Sequence, residues 1–185
     1  MKNTIETLNK ASRSNALLMM SPLVECADWV SERAVDKRPF ENHVELTKVL
    51  INNIMVADSE QQLILFKGHP ELAGSEAIQG EMTHASQSEQ GRLGLLNLQS
   101  EKMTQLLQLN AKYRSRFGHP FIIALHRVAD LETLFSIFRS RLENTLQEEH
   151  SITLMEIASV IEARTTQLFD PTTKNQPITS TNLQE

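Results

Sequence analysis

The residues LMEIASVIEARTTQL, 154–168, decide the fold class. Leu154, Ile157, Ala158, Ile161 and Leu168 recur at the spacing that lines one face of an α-helix. Arg164 stands three residues after Ile161 and four before Leu168, inside that apolar stripe. A guanidinium facing a core and left unpaired costs several kcal/mol. The spacing therefore predicts a protein carboxylate or an anionic ligand opposite Arg164.

Working outward, the same periodicity recurs along the chain. Asp130 is placed to cap an amphipathic helix with apolar positions Leu131, Leu134, Phe135, Phe138, Leu142 and Leu146. A helix over about Ser100 to Arg116 is expected to bury Met103, Leu106, Leu107 and Tyr113, with Gly118 and Pro120 ending it. Ser86 opens a helix containing Gln90, Leu93 and Leu96. The stretch His69 to His84, punctuated by Pro70, Gly74 and Gly80, reads as a loop. Before it, Ser59 and Gln62 have capping-box spacing at the head of a helix through Leu63 and Leu65 that stops near Gly68. Val44, Leu46, Val49, Leu50 and Ile54 place a further helix over about Asn42 to Val56. Ser21 and Pro22 lead into a helix through Trp29 and Ala34, broken at Arg38 and Pro39. A short opening segment contains Leu8 and Asn9. No strand alternation competes, so the expectation is an all-α, single-domain helical bundle of about eight helices spanning residues 1–169. Residues 170–185, rich in Pro, Thr, Asn and Gln, read as a disordered tail.

Composition narrows the function classes. With 185 residues and 40% hydrophobic content, the chain is large enough for a sizeable core. A net charge of -5 argues against nucleic acid as the main partner, because phosphate binding needs clustered Lys and Arg. The single cysteine, Cys26, excludes an intramolecular disulfide framework. No apolar run approaches the ~18 residues of a membrane span, and the polar start MKNTIETLNKASRSN lacks a secretory core, so the default is a cytoplasmic protein. The six histidines form no HExxH or comparable cluster, so no metal is expected.

Six motifs in order then carry a resemblance. They are Leu8-Asn9, WVSERAVDKRPF (29–40), HPELAG (69–74), SQSEQ (86–90), LNAKYRSRFGHPFI (109–122) and the last helix with Arg164. Together they make the chain resemble the 2-oxo-4-hydroxy-4-carboxy-5-ureidoimidazoline (OHCU) decarboxylases, cofactor-free enzymes that complete the conversion of urate to S-allantoin. The resemblance implies an all-α fold, a homodimer, a small-molecule substrate and no cofactor.

It also implies roles for individual residues. His69 matches the catalytic histidine, a proton donor, and Pro70 the adjacent substrate-lining residue. Glu89 matches the catalytic carboxylate, flanked by binding positions Ser86, Gln87, Ser88 and Gln90. Arg164 matches the arginine that partners a substrate carboxylate or Glu89. Phe121, Ile122, Ile123, Ala124 and Leu125 match a segment whose main chain binds the planar ring and ureido group. His119 departs from the commoner family pattern, which has phenylalanine between this glycine and proline. Structural alternatives stand beside these roles. Ser86 and Glu89 also have capping-box spacing, Arg164 suits a buried ion pair, and 121–125 suits a buried apolar linker. Trp29, Arg38, Pro39 and Phe40 read as structural. The function reading is thus an OHCU decarboxylase, with a non-catalytic helical ligand-binding or interaction module of the same fold as the alternative.

Overall fold

A computed structural model describes residues 3–74 and 84–170 of the chain. Among them are nine α-helices and no strand: α1 (Ile5–Lys10), α2 (Arg13–Met20), α3 (Asp28–Val35), α4 (His43–Met55), α5 (Ser59–Lys67), α6 (His84–Arg92), α7 (Ser100–Phe117), α8 (Leu131–Arg141) and α9 (Leu146–Phe169). The all-α expectation holds, and the opening segment supplies two short helices where the sequence marked none. The expected tail beyond Asp170 and the stretch 75–83 of the expected loop lie outside the described residues.

Local chemistry explains the helix ends, and corrects four expectations. Asp58, not Ser59, caps α5, its carboxylate accepting from the Gln61 N–H at 2.8 Å. An aspartate there also meets the positive end of the helix dipole, which a serine hydroxyl does less well. α6 starts at His84, so Ser86 already lies in its first turn and is not the cap. No breaker stands between His84 and Ser86, and Ala85 is a strong helix former. The helix expected from Asp130 through Leu146 ends earlier, at Arg141, and Leu146 belongs to the next one. Asp130 caps α8, and Thr145 and Glu148 form a capping box that opens α9. Leu146, the first residue of α9, is therefore exposed, as is Leu107 on α7.

Helix α9 packs along α4 and carries the chain's longest apolar stripe into the core. One apolar cluster joins α1 to α5 with Leu154, Ile157 and Ile161 of α9. A second joins α7 and α8 with Leu72, Phe121, Ile123 and Leu125. Between them runs the extended strap 119–124, whose side chains alternate: Ile122 enters the first cluster while Phe121 and Ile123 enter the second.

The early motifs prove to be clasps. Asn9 receives the Phe40 N–H at 2.9 Å and donates to the Phe40 carbonyl at 2.7 Å. Arg38 donates to the carbonyls of Leu8 and Ala11 at 2.9 and 2.7 Å, satisfying groups that the end of α1 leaves open. Both residues fasten the N-terminal helices to the segment before α4, as expected of structural positions.

Beneath the strap lies a buried polar knot. Arg141, on α8, donates through Nε to Glu149 Oε1 at 2.9 Å and through Nη1 to the Ile122 carbonyl at 2.7 Å. Its Nη2 reaches Glu149 and Thr153. Glu149 also accepts from the Tyr113 hydroxyl and, at 2.7 Å, from Asn144. Burial and the bond to Glu149 drive the Tyr113 hydroxyl far above its ordinary range. Phe121 stacks on Phe138 at 3.8 Å with the Arg141 guanidinium over its other neighbourhood, 4.6 Å from the ring centre. This knot sets the height of the strap.

Candidate active site

His69 follows directly on the end of α5. The helix stops at Lys67, one residue short of His69, whose helical conformation the following Pro70 disfavours, and the chain turns along the cavity. The turn is held from two sides. Asn110 on α7 donates to the Leu72 carbonyl at 3.0 Å, and Gln90 on α6 accepts from the Ala73 N–H at 3.0 Å. Ala73 takes a left-handed backbone (φ 49°), and a Cβ on Gly74 would come within 2.9 Å of the Glu71 Cβ.

His69 Nδ1 lies 2.8 Å from the Leu65 carbonyl. A carbonyl only accepts, so Nδ1 carries the proton and Nε2 of the neutral ring offers a lone pair. Burial pushes the imidazole below its ordinary 6.5; the Leu65 bond and the charge of Glu25 oppose this, and Arg164 adds to it. His69 is accordingly neutral at pH 7.

Arg164 meets two carboxylates. Its Nε and Nη2 donate to Glu89 at 3.1 Å each, a fork geometry, and its Nη1 lies 3.3 Å from Glu25 Oε1 and 3.5 Å from the Pro22 carbonyl. The anion expected opposite Arg164 is thus supplied by the protein, from α6 and from the link between Leu23 and α3.

His69, Pro70, Glu89, Gln90, Phe121, Ile122, Ile123, Leu125 and Arg164 all line one cavity, closed on the remaining side by α9 and the link carrying Glu25. Gln87 is half-buried and Ser88 exposed, and neither is among the lining residues; nor is Ala124, which is fully buried. Only the backbone of Ser86 falls within what is described here, in the first turn of α6. The Ala124 N–H is held by Glu156 on α9 at 2.7 Å, and the Ile122 carbonyl by Arg141. Arg92, also on α6, donates to the carbonyls of Leu125 and Val128, tying the helix of Glu89 to the strap's end.

Glu25, Arg92, Asn110 and the Arg141–Glu149 pair were not singled out by sequence. Glu25 sits between Val24 and Cys26 in a non-helical link with Cys26 at φ 58°, so no periodicity marks which way it points. Among the described residues there is no cluster of His, Cys, Asp and Glu that could hold a metal ion, and no helix is long and apolar enough to cross a membrane.

His119 stays out of the cavity. It is buried behind the strap, its Nδ1–H donating to the Pro120 carbonyl at 2.8 Å and its ring 4.9 Å from Phe66 and 5.5 Å from Tyr113. It packs as an aromatic between the two clusters, which explains how it stands where phenylalanine is commoner. Burial lowers its pKa below 6.5. The unfolded chain then takes up a proton below about pH 6.5 that the folded chain resists, so this group's stability is present above that pH and lost as pH falls toward the folded pKa. His119→Phe is expected to reduce the fall in Tm between pH 7.5 and 5 by at least about 2 °C, read by thermal circular dichroism. An unchanged fall would show that burial does not shift the ring's proton affinity between the unfolded and the folded chain.

Comparison with known proteins supplies the family. The family model for OHCU decarboxylase matches residues 9–166. The chain is 33% identical over 148 residues to the 2-oxo-4-hydroxy-4-carboxy-5-ureidoimidazoline decarboxylase of Mus musculus, covering 80% of this chain and 79% of that one. It is 29% identical to the enzyme of that name from Halalkalicoccus jeotgali, covering 91% and 93%. It is also 31% identical to the uric acid degradation bifunctional protein of Bacillus sp. strain TB-90, of whose length it spans only 32%. The fold is shared with an (S)-allantoin synthase structure (TM-score 0.71, 20% identity, 90% of this chain and 54% of that one). A structure of OHCU decarboxylase in the presence of (S)-allantoin gives a TM-score of 0.66 at 18% identity, covering 86% and 99%. With His69, Glu89 and Arg164 lining one cavity and the family model matching residues 9–166, the chain belongs to the OHCU decarboxylase family.

Proposed function

We propose that the protein catalyses the cofactor-independent decarboxylation of 2-oxo-4-hydroxy-4-carboxy-5-ureidoimidazoline to S-allantoin and CO2, in urate catabolism. The observation that carries this reading is the convergence of a neutral His69, with Nε2 free of the Leu65 bond, and the Glu89–Arg164 pair on one cavity.

The substrate has a carboxylate and a hydroxyl on one ring carbon, beside a conjugated C=N. When the C–C bond to the carboxylate breaks, its electrons enter that C=N, so the substrate is its own electron sink. The protein's task is orientation and proton handling. His69 Nε2 accepts from the substrate hydroxyl and takes its proton as that carbon becomes a carbonyl. The resulting imidazolium is the proton donor to the neighbouring carbon, and delivery to one face sets the S configuration. One further proton enters from solvent to balance the departing CO2. Glu89, held by Arg164, stands beside this exchange and stabilises the imidazolium while it exists. The ring and ureido group lie along the strap, where Ile122 and Ile123 present main chain to the cavity, with Pro70 and Phe121 closing on them and Gln90 at the edge. Ser86, Gln87, Ser88, Ala124 and Leu125 complete the binding segments in this reading. It extends to a homodimer in the cytoplasm, supported by family membership.

The test generates the unstable ureidoimidazoline in situ from urate and follows absorbance and circular dichroism with and without the protein. Spontaneous decay gives racemic product. A rapid S-allantoin dichroic signal is the expected result; no acceleration over the spontaneous decay would sink the enzyme reading and leave a binding module.

A further inference from the structure

Glu25 is the one acidic lining residue that neither the sequence motifs nor the reaction scheme above uses. Its side chain is 8% exposed, that of Arg164 9%, and both line the cavity with His69. Arg164 therefore serves two carboxylates at once, Glu89 through two nitrogens and Glu25 through the third. It is the only Lys or Arg among the described lining residues. With His69 neutral, the charged side chains described at this end of the cavity sum to one formal negative charge, rather than the positive charge that would attract a carboxylated substrate.

That charge has a direction of effect on decarboxylation. The reactant holds its charge concentrated on the carboxylate; as the bond breaks, the charge spreads into the ring and the departing CO2 is neutral. A fixed negative charge nearby raises the energy of the concentrated form more than that of the dispersed form. In an apolar cavity the difference is screened less than in water. Leu23, Val24, Ile157 and Ile161 supply apolar lining to the same cavity.

We propose that Glu25 is a specificity residue of the site: by placing a second carboxylate on Arg164 it keeps the polar end of the cavity negative, weakening the hold on the substrate's carboxylate while favouring its loss. This rests on the decarboxylase reading above.

Glu25→Gln keeps an acceptor for Arg164 Nη1 and removes the charge. In the in situ assay, KM is expected to fall about three- to tenfold and kcat to fall at least about fivefold, a split that loss of a merely structural partner does not produce. Glu25→Asp, which keeps the charge, is expected to restore most of kcat and KM. A rise in KM with kcat unchanged in Glu25→Gln overturns the proposal. Equilibrium binding tests it without turnover. Imidazole-4-carboxylate should bind Glu25→Gln about three- to tenfold more tightly than wild type, while neutral S-allantoin binds both within about twofold. Equal tightening of the two ligands, or weaker binding of the carboxylate, overturns it. Wild type alone gives a further check if the variant does not fold: imidazole-4-carboxamide should bind better than imidazole-4-carboxylate, and the reverse order refutes the proposal. Because these titrations need no catalysis, a wild-type protein that fails to accelerate the decay defeats the function reading separately from the charge effect.

Discussion

His69→Ala is expected to lower the rate of S-allantoin formation by about 10²- to 10⁴-fold, the range for loss of a positioned acid–base group. Among the described lining residues His69 is the only imidazole, and its Nδ1–H is taken up by Leu65. Nε2 is therefore the group whose proton affinity suits exchange near neutral pH. Among the described lining residues the other acid–base groups, Glu25 and Glu89, are engaged by Arg164. The loss should fall mainly on kcat, because the imidazole meets only the substrate hydroxyl while the strap holds the ring and ureido group. The pH profile follows from the same geometry. Protonating Nε2 removes the acceptor, so kcat/KM should fall on the acid side with a midpoint below 6.5, the direction in which burial moves His69. Stopped-flow circular dichroism at the S-allantoin signal, from pH 5 to 8, measures both effects. Full stereospecific acceleration by His69→Ala would show that another group carries the proton.

Glu149→Ala should be the most destabilising single substitution in the described structure. Glu149 is fully buried and holds Arg141, the Tyr113 hydroxyl and Asn144 together. Removing it leaves a guanidinium that is 5% exposed without its counter-charge. Breaking one half of a buried ion pair costs about 3–5 kcal/mol. At about 2–4 °C per kcal/mol for a chain of this size, Tm should fall by roughly 6–20 °C. Arg141 also carries the Ile122 carbonyl, so activity should fall beyond the loss of folded protein, as the strap loosens under the ring. Replacing both partners, Glu149→Leu with Arg141→Met, should recover a large part of the stability but not the activity, since apolar residues satisfy each other and leave the Ile122 carbonyl unheld. Calorimetry of the single and double variants decides this. A double variant no more stable than the single one would mean that the knot's hydrogen bonds, not its unpaired charge, dominate.

Much of this was readable in the chain. Helical periodicity in 154–168 and 131–142 named the class, because an amphipathic helix writes its buried face at a spacing few other structures use. Arg164 was legible for the converse reason: a charge inside an apolar stripe requires a partner wherever the helix packs. Caps were less legible. Aspartate and serine adjoin at Asp58-Ser59, and sequence does not say which hydroxyl or carboxylate reaches the free N–H groups. The position of the break between α8 and α9 was hidden because Leu142 and Leu146 continue the apolar spacing across it, while the Thr145 and Glu148 box that opens α9 is only four residues long.

What the sequence by itself determined is the helical class, the family and the three residues, His69, Glu89 and Arg164, that the fold brings to one cavity, since each of these is marked by local spacing or by a motif. What only the tertiary structure decided is who answers Arg164, which tautomer His69 adopts, and what holds the strap. Glu25 meets Arg164 across 139 residues of chain, Arg141 and Glu149 hold Ile122 from two different helices, and Leu65 fixes the His69 proton through a helix-end carbonyl. Such pairings depend on how helices cross, and residue spacing along one helix does not encode the crossing.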